Sequence, residues 1–276
     1  MNRSPIRLGA VIYDPKVTVI WGIIREFFEQ QGVPMVVQFY ANYDLQVNAL
    51  VSDQIEVAWN SPLAWLDTER RAGGPCRAVA MRDTDRDRVS YIVVRRESGL
   101  DSVTGLRGKT VGTGAKDSPQ ATLIPLHWLR QQGVEPERDF AVRHHDIGVG
   151  LHGDHVGGEL AAFRALERGE VDASVMLDLN RDAWERDGTL DRERYVVLGT
   201  TSLFDHCNFS VLDSFPEHRQ AEFTQALFAM RYDNPKHREM MDLEGLKEWL
   251  PGRTTGYTAL AGAVQAQGRF SEAPRG

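Results

Sequence analysis

The histidine-rich segment HHDIGVGLHGDHVGGE, residues 144–159, contains the side chains best suited to binding a metal ion. His152, His155 and Glu159, with Asp154 between the histidines, form the pattern H-x-D-H-x-x-x-E. If the following helix begins early, His155 and Glu159 lie four residues apart on one face. Two imidazoles and a carboxylate can bind zinc, iron or manganese, and an open coordination position would suit catalysis. The alternative is a solvated Gly- and His-rich lid without metal, and the sequence indicates no other cofactor.

His206 and Cys207 are a second pair with chemical potential, because a thiolate beside a histidine is a common nucleophile. They adjoin the predicted strand NFSVLDS, and adjacent residues of a strand point to opposite faces. We therefore expect Cys207 to be a core residue. Cys76 is also expected to be buried, and the spacing of the two cysteines indicates neither a disulfide framework nor a zinc knuckle.

Alternating strands and helices must position these side chains. In the first part of the chain, β-rich runs such as IRLGAVIY and PMVVQFY alternate with helical patterns such as VTVIWGIIREFFEQQG. This alternation is typical of β-α-β units that build a parallel sheet. Ser61 and Pro62 predict a helix start, since serine is a favoured N-cap and proline a favoured first helical residue.

The same alternation restarts after the strand SYIVVRR and predicts a second α/β lobe. Its predicted elements are KTVGTG, a helix over residues 118–132, AVRHH, a helix over residues 158–168, VDASVML and a helix near Arg181. YVVLGT and NFSVLDS are predicted strands that lead out of this lobe, and the remaining residues are mainly helical. Asp172 is expected to serve a turn, whereas Asp178, at the far end of VDASVML, is a candidate ligand contact.

Three segments resemble, in the same order, the phosphate/phosphonate-binding branch of the ABC-transporter solute-binding proteins. They are NYDLQVNALVSDQIEVAWNSPLAW (residues 42–65), KTVGTGAKDSPQATLIPLHWLRQQGVEP (109–136) and GGELAAFRALERGEVDASVML (157–177). The resemblance implies an α/β, two-lobed, periplasmic-binding-protein-like fold of type II, with two mixed, mostly parallel sheets flanked by helices. It places residues 1–90 and 200–276 in a discontinuous first lobe and residues 91–199 in the second.

The resemblance also implies a ligand cleft between the lobes, lined by strand ends and helix starts where backbone N–H groups are exposed. The predicted ligand-binding residues of the first lobe are Tyr13, Asn60, Ser61 and Trp65. Those of the second lobe are Ser118, Gln120, Glu159 and Asp178.

Two departures from the family pattern change the expected ligand. Ser118-Pro119-Gln120 stands where the family has Ser-Thr-Ser, so that one backbone N–H is lost. Glu159 aligns with a ligand-contacting histidine of the family, and an ionised carboxylate only accepts hydrogen bonds. We therefore expect weak phosphonate binding and a preference for a zwitterion, a cation, a neutral polar molecule or a metal-bridged anion.

Three functions fit this pattern. The first is a solute-binding receptor of the phosphonate-binding type with altered specificity, which would deliver a small polar or charged ligand to an ABC permease. The alternative is a cytoplasmic, metal-dependent enzyme acting on a small metabolite on the same scaffold. A third is an intracellular sensor that uses lobe closure to regulate a partner.

Composition narrows the partners and the location. Asp and Glu total 39 residues against 32 Lys and Arg in a chain of 276, which argues against a nucleic-acid partner. No apolar stretch reaches the length of a membrane span. The first predicted strand, residues 6–12, begins too early for a signal segment to precede it, which predicts a cytoplasmic protein. A periplasmic or extracellular location would follow if a leader had been removed.

Overall fold

The computed structural model describes residues 4–153 and 157–269, which form two compact units. The first unit contains residues 4–86 and 205–256, and the second contains residues 87–204 and 257–269. The sequence placed the C-terminal residues in the first lobe. In the structure, the last helix instead packs against the helix that follows Ser118, within the second unit.

The strands are β1 (Ile6–Val11), β2 (Met35–Tyr40), β3 (Val57–Asn60), β4 (Cys76–Arg82), β5 (Ser90–Arg95), β6 (Thr110–Thr113), β7 (Ala141–His144), β8 (Ala173–Leu177), β9 (Tyr195–Thr200), β10 (Asn208–Leu212) and β11 (Trp249–Pro251). The first ten strands follow the predicted runs closely, whereas β11 lies in a part of the chain that was predicted to be mainly helical.

The helices also follow the predicted pattern. They are α1 (Lys16–Gln30), α2 (Tyr43–Val51), α3 (Pro62–Ala72), α4 (Ile124–Gln131), α5 (Gly158–Glu167), α6 (Asp178–Asp187), α7 (Glu217–Phe228), α8 (Pro235–Glu244) and α9 (Thr258–Ala266). A π-type turn, Pro119–Leu123, leads into α4. Short 3-10 turns occupy Asp83–Asp85, Arg96–Ser98, Val103–Leu106 and Thr255–Tyr257. None of the helices in the described residues is long and apolar enough to span a membrane.

The sheet of the first unit has the strand order β11-β4-β10-β3-β1-β2. β1 is parallel to both β2 and β3, so that the carboxyl ends of β1 and β3 lie at the same edge. Apolar side chains of α1, α7 and α8 pack with the sheet in one core. The aromatic rings of Trp21, Trp59, Phe209 and Trp249 lie in this core, with centroids of contacting pairs 4.7 to 6.0 Å apart. This packing fixes the end of β3, which leads into Ser61.

The sheet of the second unit has the order β7-β6-β8-β5-β9. β6 is parallel to β7 and β8, so that the chain leaves β6 and β8 at the same edge. One face packs against α4 and the other against α5, and each face has its own apolar cluster.

Both sheets are mixed, as predicted, but parallel pairings do not dominate. Among the described strands, four pairings are parallel and five are antiparallel. Four of the antiparallel pairings arise where β5 and β10 insert between strands of the α/β units, and the fifth joins β11 to β4. Hydrophobic runs alone could not reveal this insertion, because a buried strand reads the same in either direction.

Candidate functional site

The predicted ligand-binding residues of the first unit follow the carboxyl ends of two adjacent parallel strands. Tyr13 follows β1, whereas Asn60 ends β3 and Ser61 comes next. Tyr13 is partly buried and packs against the core of this unit. Trp65, in the first turn of α3, is only 1% exposed. Because these residues follow the carboxyl ends of parallel strands, they lie at one edge of the sheet, and most of their side chains are buried.

Asn60 lies in a buried network of neutral polar side chains. Its Oδ1 accepts a hydrogen bond of 2.8 Å from Gln46 Nε2. Its Nδ2 donates to Thr68 Oγ1 at 3.2 Å and to Ser210 Oγ at 3.0 Å, and Ser210 Oγ donates to Asn208 Oδ1 at 2.7 Å. Asn60 is fully buried, so it has a structural role that the sequence did not predict. A ligand contact would require it to exchange one of these partners.

The start of α3 is built by the sequence Ser61-Pro62-Leu63-Ala64. Ser61 is the N-cap, and its Oγ accepts a hydrogen bond from Ala64 N at 3.1 Å. Pro62 is the first helical residue and has no N–H. The N–H of Trp65 bonds to the Ser61 carbonyl. Leu63 therefore carries the remaining N–H of the first turn, so that this helix start offers an anion one backbone donor.

The second unit repeats this arrangement with Ser118-Pro119-Gln120-Ala121. Ser118 Oγ accepts a hydrogen bond from Ala121 N at 3.2 Å, and Pro119 removes another N–H. The N–H of Leu123 reaches back to the Ser118 carbonyl, which produces the π-type turn. Only Gln120 retains a first-turn N–H. Both helix starts thus have the pattern S-P-x-A and the same shortage of donors.

Glu159 lies close to two helix starts of the second unit. Its Oε2 accepts hydrogen bonds of 2.8 Å from Leu177 N and from Asn180 Nδ2, at the end of β8 and the start of α6. On its other side is Gly114, where an added Cβ would lie 2.7 Å from Ala121 Cβ and 3.7 Å from Glu159 N. The structure therefore brings Glu159 close to the Ser118 helix start, across a position that accommodates only glycine.

Asp178 belongs to the same edge of the second sheet. Its Oδ2 lies 3.4 Å from Arg88 Nη1, and its backbone N–H bonds to the Val89 carbonyl. Burial raises the pKa of Asp178, although the charge of Arg88 opposes this effect. Asp172, by contrast, accepts a hydrogen bond from Thr110 N at 2.8 Å, consistent with its expected role at a turn.

The predicted metal site is only partly described. His152 lies in the loop before α5 with a positive φ of 54°. His155 and Asp154 lie outside the described residues. Glu159, the third predicted ligand, already accepts two hydrogen bonds through one oxygen. The zinc, iron or manganese site therefore stays a prediction.

The loop before α5 has contacts that the sequence did not predict. Asp146 Oδ1 accepts a hydrogen bond of 2.8 Å from Lys116 N, and Asp117 Oδ2 accepts one of 2.6 Å from Gly150 N. Gln120 Nε2 donates to the Gly153 carbonyl at 3.3 Å. Asp146 closely follows the end of β7, so the sequence analysis could have identified it in the same way as the polar residues at the ends of the other strands.

A buried charged cluster lies in the first unit. Arg82 donates from Nε and Nη2 to the two carboxylate oxygens of Asp85, both at 2.7 Å, and Nη1 lies 3.2 Å from Glu244 Oε1. Asp85, His206 and Cys207 have potential metal-ligand atoms within 4.8 Å of one another. The Arg82 guanidinium, however, already faces both oxygens of Asp85. A cation there would be repelled by this charge, so the cluster is better explained as an ion pair.

The cysteine predictions need two corrections. His206 and Cys207 precede β10 and are not part of the strand, so the alternation of side chains along a strand does not apply to them. His206 Nδ1 lies 3.1 Å from Cys207 Sγ. Cys207 is nevertheless a core residue, as predicted, with no exposed surface. Cys76 is only partly buried, and that burial raises the pKa of its thiol to about 11.

Comparisons with known sequences match most of the chain. Residues 13–257 match the model of a family described as "ABC transporter, phosphonate, periplasmic substrate-binding protein". An uncharacterized protein of Haemophilus influenzae is 32% identical over 107 residues, which are 39% of this chain and 70% of that protein. The tetrathionate sensor histidine kinase TtrS of Salmonella typhimurium is 26% identical over 149 residues. This match covers 50% of the present chain but only 24% of the kinase.

A solved structure shows the same fold. PhnD1 from Prochlorococcus marinus, in complex with methylphosphonate, has a TM-score of 0.72 and 16% identity. The match covers 96% of this chain and 98% of that chain. The fold is the predicted two-lobed α/β binding-protein fold, and these comparisons do not support the enzyme alternative. With the family model matching residues 13–257, the chain belongs to the phosphonate-binding family of periplasmic ABC-transporter substrate-binding proteins.

Proposed function

We propose that this chain is the solute-binding receptor of an ABC importer and that it binds simple phosphonates weakly. The receptor role follows from the family, whose members are described as periplasmic substrate-binding proteins of ABC transporters. Its partners would be a small solute and a permease. The family description also favours the periplasm among the locations that the sequence left open.

The observation that carries the altered specificity is the repeated S-P-x-A helix start. A phosphonate dianion is best held by several backbone N–H groups at a helix start. At both starts proline removes one donor, and the serine side chain caps another. Each start therefore supplies a single N–H in its first turn, from Leu63 or Gln120.

The second unit also supplies acceptors where an oxyanion would need donors. Within the described residues, Asp117 Oδ1 and Gln120 Oε1 are buried and have no hydrogen-bond partner. Glu159 and Asp178 add two carboxylates at the same edge of the sheet. A ligand that presents hydrogen-bond donors satisfies such a surface better than a dianion does. The ligand class supported by these groups is a zwitterion, a cation or a neutral polar molecule.

Titration calorimetry with methylphosphonate and inorganic phosphate tests this proposal. Pro62→Ala restores one N–H at the start of α3, and a hydrogen bond to a charged group corresponds to about a tenfold gain in affinity or more. Pro235→Ala is the matched control, because Pro235 is also the first helical residue after a capping side chain but lies outside the candidate site. We expect Pro62→Ala to bind methylphosphonate about tenfold more tightly than wild type, and Pro235→Ala to match wild type.

Glu159→Gln provides a second variant. Glutamine keeps an oxygen acceptor for Leu177 N and removes the negative charge, so we expect anion affinity to rise. Submicromolar methylphosphonate binding by the wild-type protein would contradict the altered specificity. Failure to bind any solute across a broad panel would contradict the receptor role.

A further inference from the structure

Residues 146–153, here named the docked segment, lie directly on the start of the helix that follows Ser118. Three hydrogen bonds hold them there, involving Lys116 N, Asp117 Oδ2 and Gln120 Nε2. These groups belong to the residues that immediately precede or open the helix. The docked segment therefore occupies the place from which an external anion would approach this helix start.

The closest approach occurs between Gly153 and Ser118. An added Cβ on Gly153 would lie 2.5 Å from Ser118 Oγ and 2.6 Å from Ser118 Cβ. Gly153 also has a positive φ of 67°, which glycine adopts without strain. Ser118 has no exposed surface, so no solute can reach its hydroxyl while the segment is in place. Glycine at position 153 is thus required both for the backbone conformation and for the contact.

Docking leaves two acceptors unsatisfied, which gives a second and independent indication of a ligand. Asp117 and Gln120 are 6% and 3% exposed. Each uses one side-chain atom to hold the segment, while Asp117 Oδ1 and Gln120 Oε1 have no partner among the described residues. A buried acceptor without a donor destabilises the conformation that buries it. The docked state is therefore one that a ligand carrying hydrogen-bond donors can displace.

The docked segment also presents a negative charge to the helix start. Asp146 Oδ1 lies 2.8 Å from Lys116 N, so an internal carboxylate already accepts from a backbone N–H that an oxyanion could otherwise use. Ile147 and Val149, in contrast, are 47% and 46% exposed, so these two apolar side chains contribute little packing to the segment. Three hydrogen bonds and the close Gly153 contact attach the segment to the residues around this helix start.

We propose that the docked segment is the specificity determinant of the second unit's ligand site: it covers the Ser118 helix start against oxyanions and yields to a donor-bearing ligand. This inference rests on the proposed receptor function and assigns its ligand selection to residues 146–153. It makes Gly153 and Asp146 specificity-determining residues, although neither was among the predicted ligand contacts.

Gly153→Ala tests the proposal, with Gly169→Ala as the matched control. Both glycines have positive φ, 67° and 73°, but an added Cβ at Gly169 meets nothing within 4 Å. Gly169→Ala therefore introduces the backbone strain of a positive φ without a steric collision of the new Cβ. Hydrogen exchange at the Gly150 amide, which donates to Asp117, reports whether the segment is docked. Calorimetry with inorganic phosphate reports whether the helix start has become accessible.

We expect Gly153→Ala to accelerate exchange at Gly150 and to increase phosphate affinity by about tenfold, the effect of one hydrogen bond to a charged group. Gly169→Ala should match wild type in both measurements. Asp146→Ala provides a second variant at an exposed position, where folding is not at risk, and should change both measurements in the same direction.

Two results would overturn the proposal. One is faster exchange at Gly150 with unchanged phosphate affinity, since the segment would then not be what excludes the anion. The other is unchanged exchange at Gly150 in both variants, since the contacts described here would then not hold the segment. Whether the wild-type protein binds any solute decides the receptor function separately, so the two ideas can fail independently.

Discussion

The substitution Asp85→Asn should destabilise the first unit by about 3 kcal/mol. Asp85 is 1% exposed and accepts hydrogen bonds from Arg82 Nε, Arg82 Nη2, Arg82 N and Cys207 N. The introduced asparagine would retain one oxygen but would direct an NH₂ group towards the guanidinium, and the buried positive charge would lose its closest partner. Breaking a buried ion pair typically costs about 3–5 kcal/mol. Glu244, 3.2 Å from Arg82 Nη1, still neutralises part of the charge, which places the expected loss at the lower end.

Urea denaturation monitored by tryptophan fluorescence suits this measurement. Trp59 lies beside the cluster, with the Arg82 Cζ atom 5.2 Å from its ring centroid, and four of the six tryptophans belong to the first unit, so most of the tryptophans that give the signal lie in that unit. Asp53→Asn is the matched control, because Asp53 forms an ion pair of 3.5 Å with Arg7 but its side chain is 82% exposed. We expect this control to lose less than about 1 kcal/mol, as exposed ion pairs do.

The pH dependence provides a second check. Burial alone would raise the pKa of Asp85, but the Arg82 guanidinium holds it well below its ordinary value. A carboxylate with a lowered pKa in the folded state stabilises the fold above its unfolded pKa of about 3.9, and this contribution is lost as the pH falls below that value. The difference between wild type and Asp85→Asn should therefore shrink below about pH 4. A loss under about 1 kcal/mol at neutral pH, or a difference that does not change in acid, would refute this reasoning.

Three further predictions concern other described features. Asn60→Ala removes three buried side-chain hydrogen bonds and should cost about 2–3 kcal/mol in urea denaturation, whereas a loss below about 0.5 kcal/mol would argue against the network. Gly256→Ala should lower the melting temperature measured by calorimetry, because the new Cβ would collide with Asp205. The Asp205 carboxylate cannot easily move away, since two hydrogen bonds of 2.6 Å from Arg253 hold it. An unchanged melting temperature would contradict this expectation. The metal prediction is checked by elemental analysis: one equivalent of zinc, iron or manganese that is lost in His155→Ala is the expected result, and metal-free wild-type protein contradicts it.

Local sequence signals predicted the elements and the helix starts well. Ser61 caps α3 and Pro62 opens it because the N-cap side chain and the fixed φ of proline act within a few residues. The same reasoning found the helix start at Ser118 but not the π-type turn that follows it. That turn depends on the Leu123 N–H reaching the Ser118 carbonyl, which no periodicity reveals.

Contacts between distant parts of the chain limited the prediction of the site. The sequence correctly placed Asn60 at the end of a strand, but its buried hydrogen bonds involve Gln46 and Ser210, which come from other elements. The alignment identified Glu159 but could not show that its carboxylate would bind the backbone of Leu177. The His206–Cys207 contact was missed because the alternation of a strand was applied to two residues that precede β10, which begins at Asn208.

The two S-P-x-A helix starts have a thermodynamic consequence. Proline fixes its own φ near −65°, and each serine side chain is already held by its capping hydrogen bond. Little conformational entropy is therefore left for these residues to lose when a solute arrives. Such preorganisation favours an enthalpy-driven association with a small entropic penalty from the helix starts themselves. Any large entropic cost of binding would then originate in other parts of the chain.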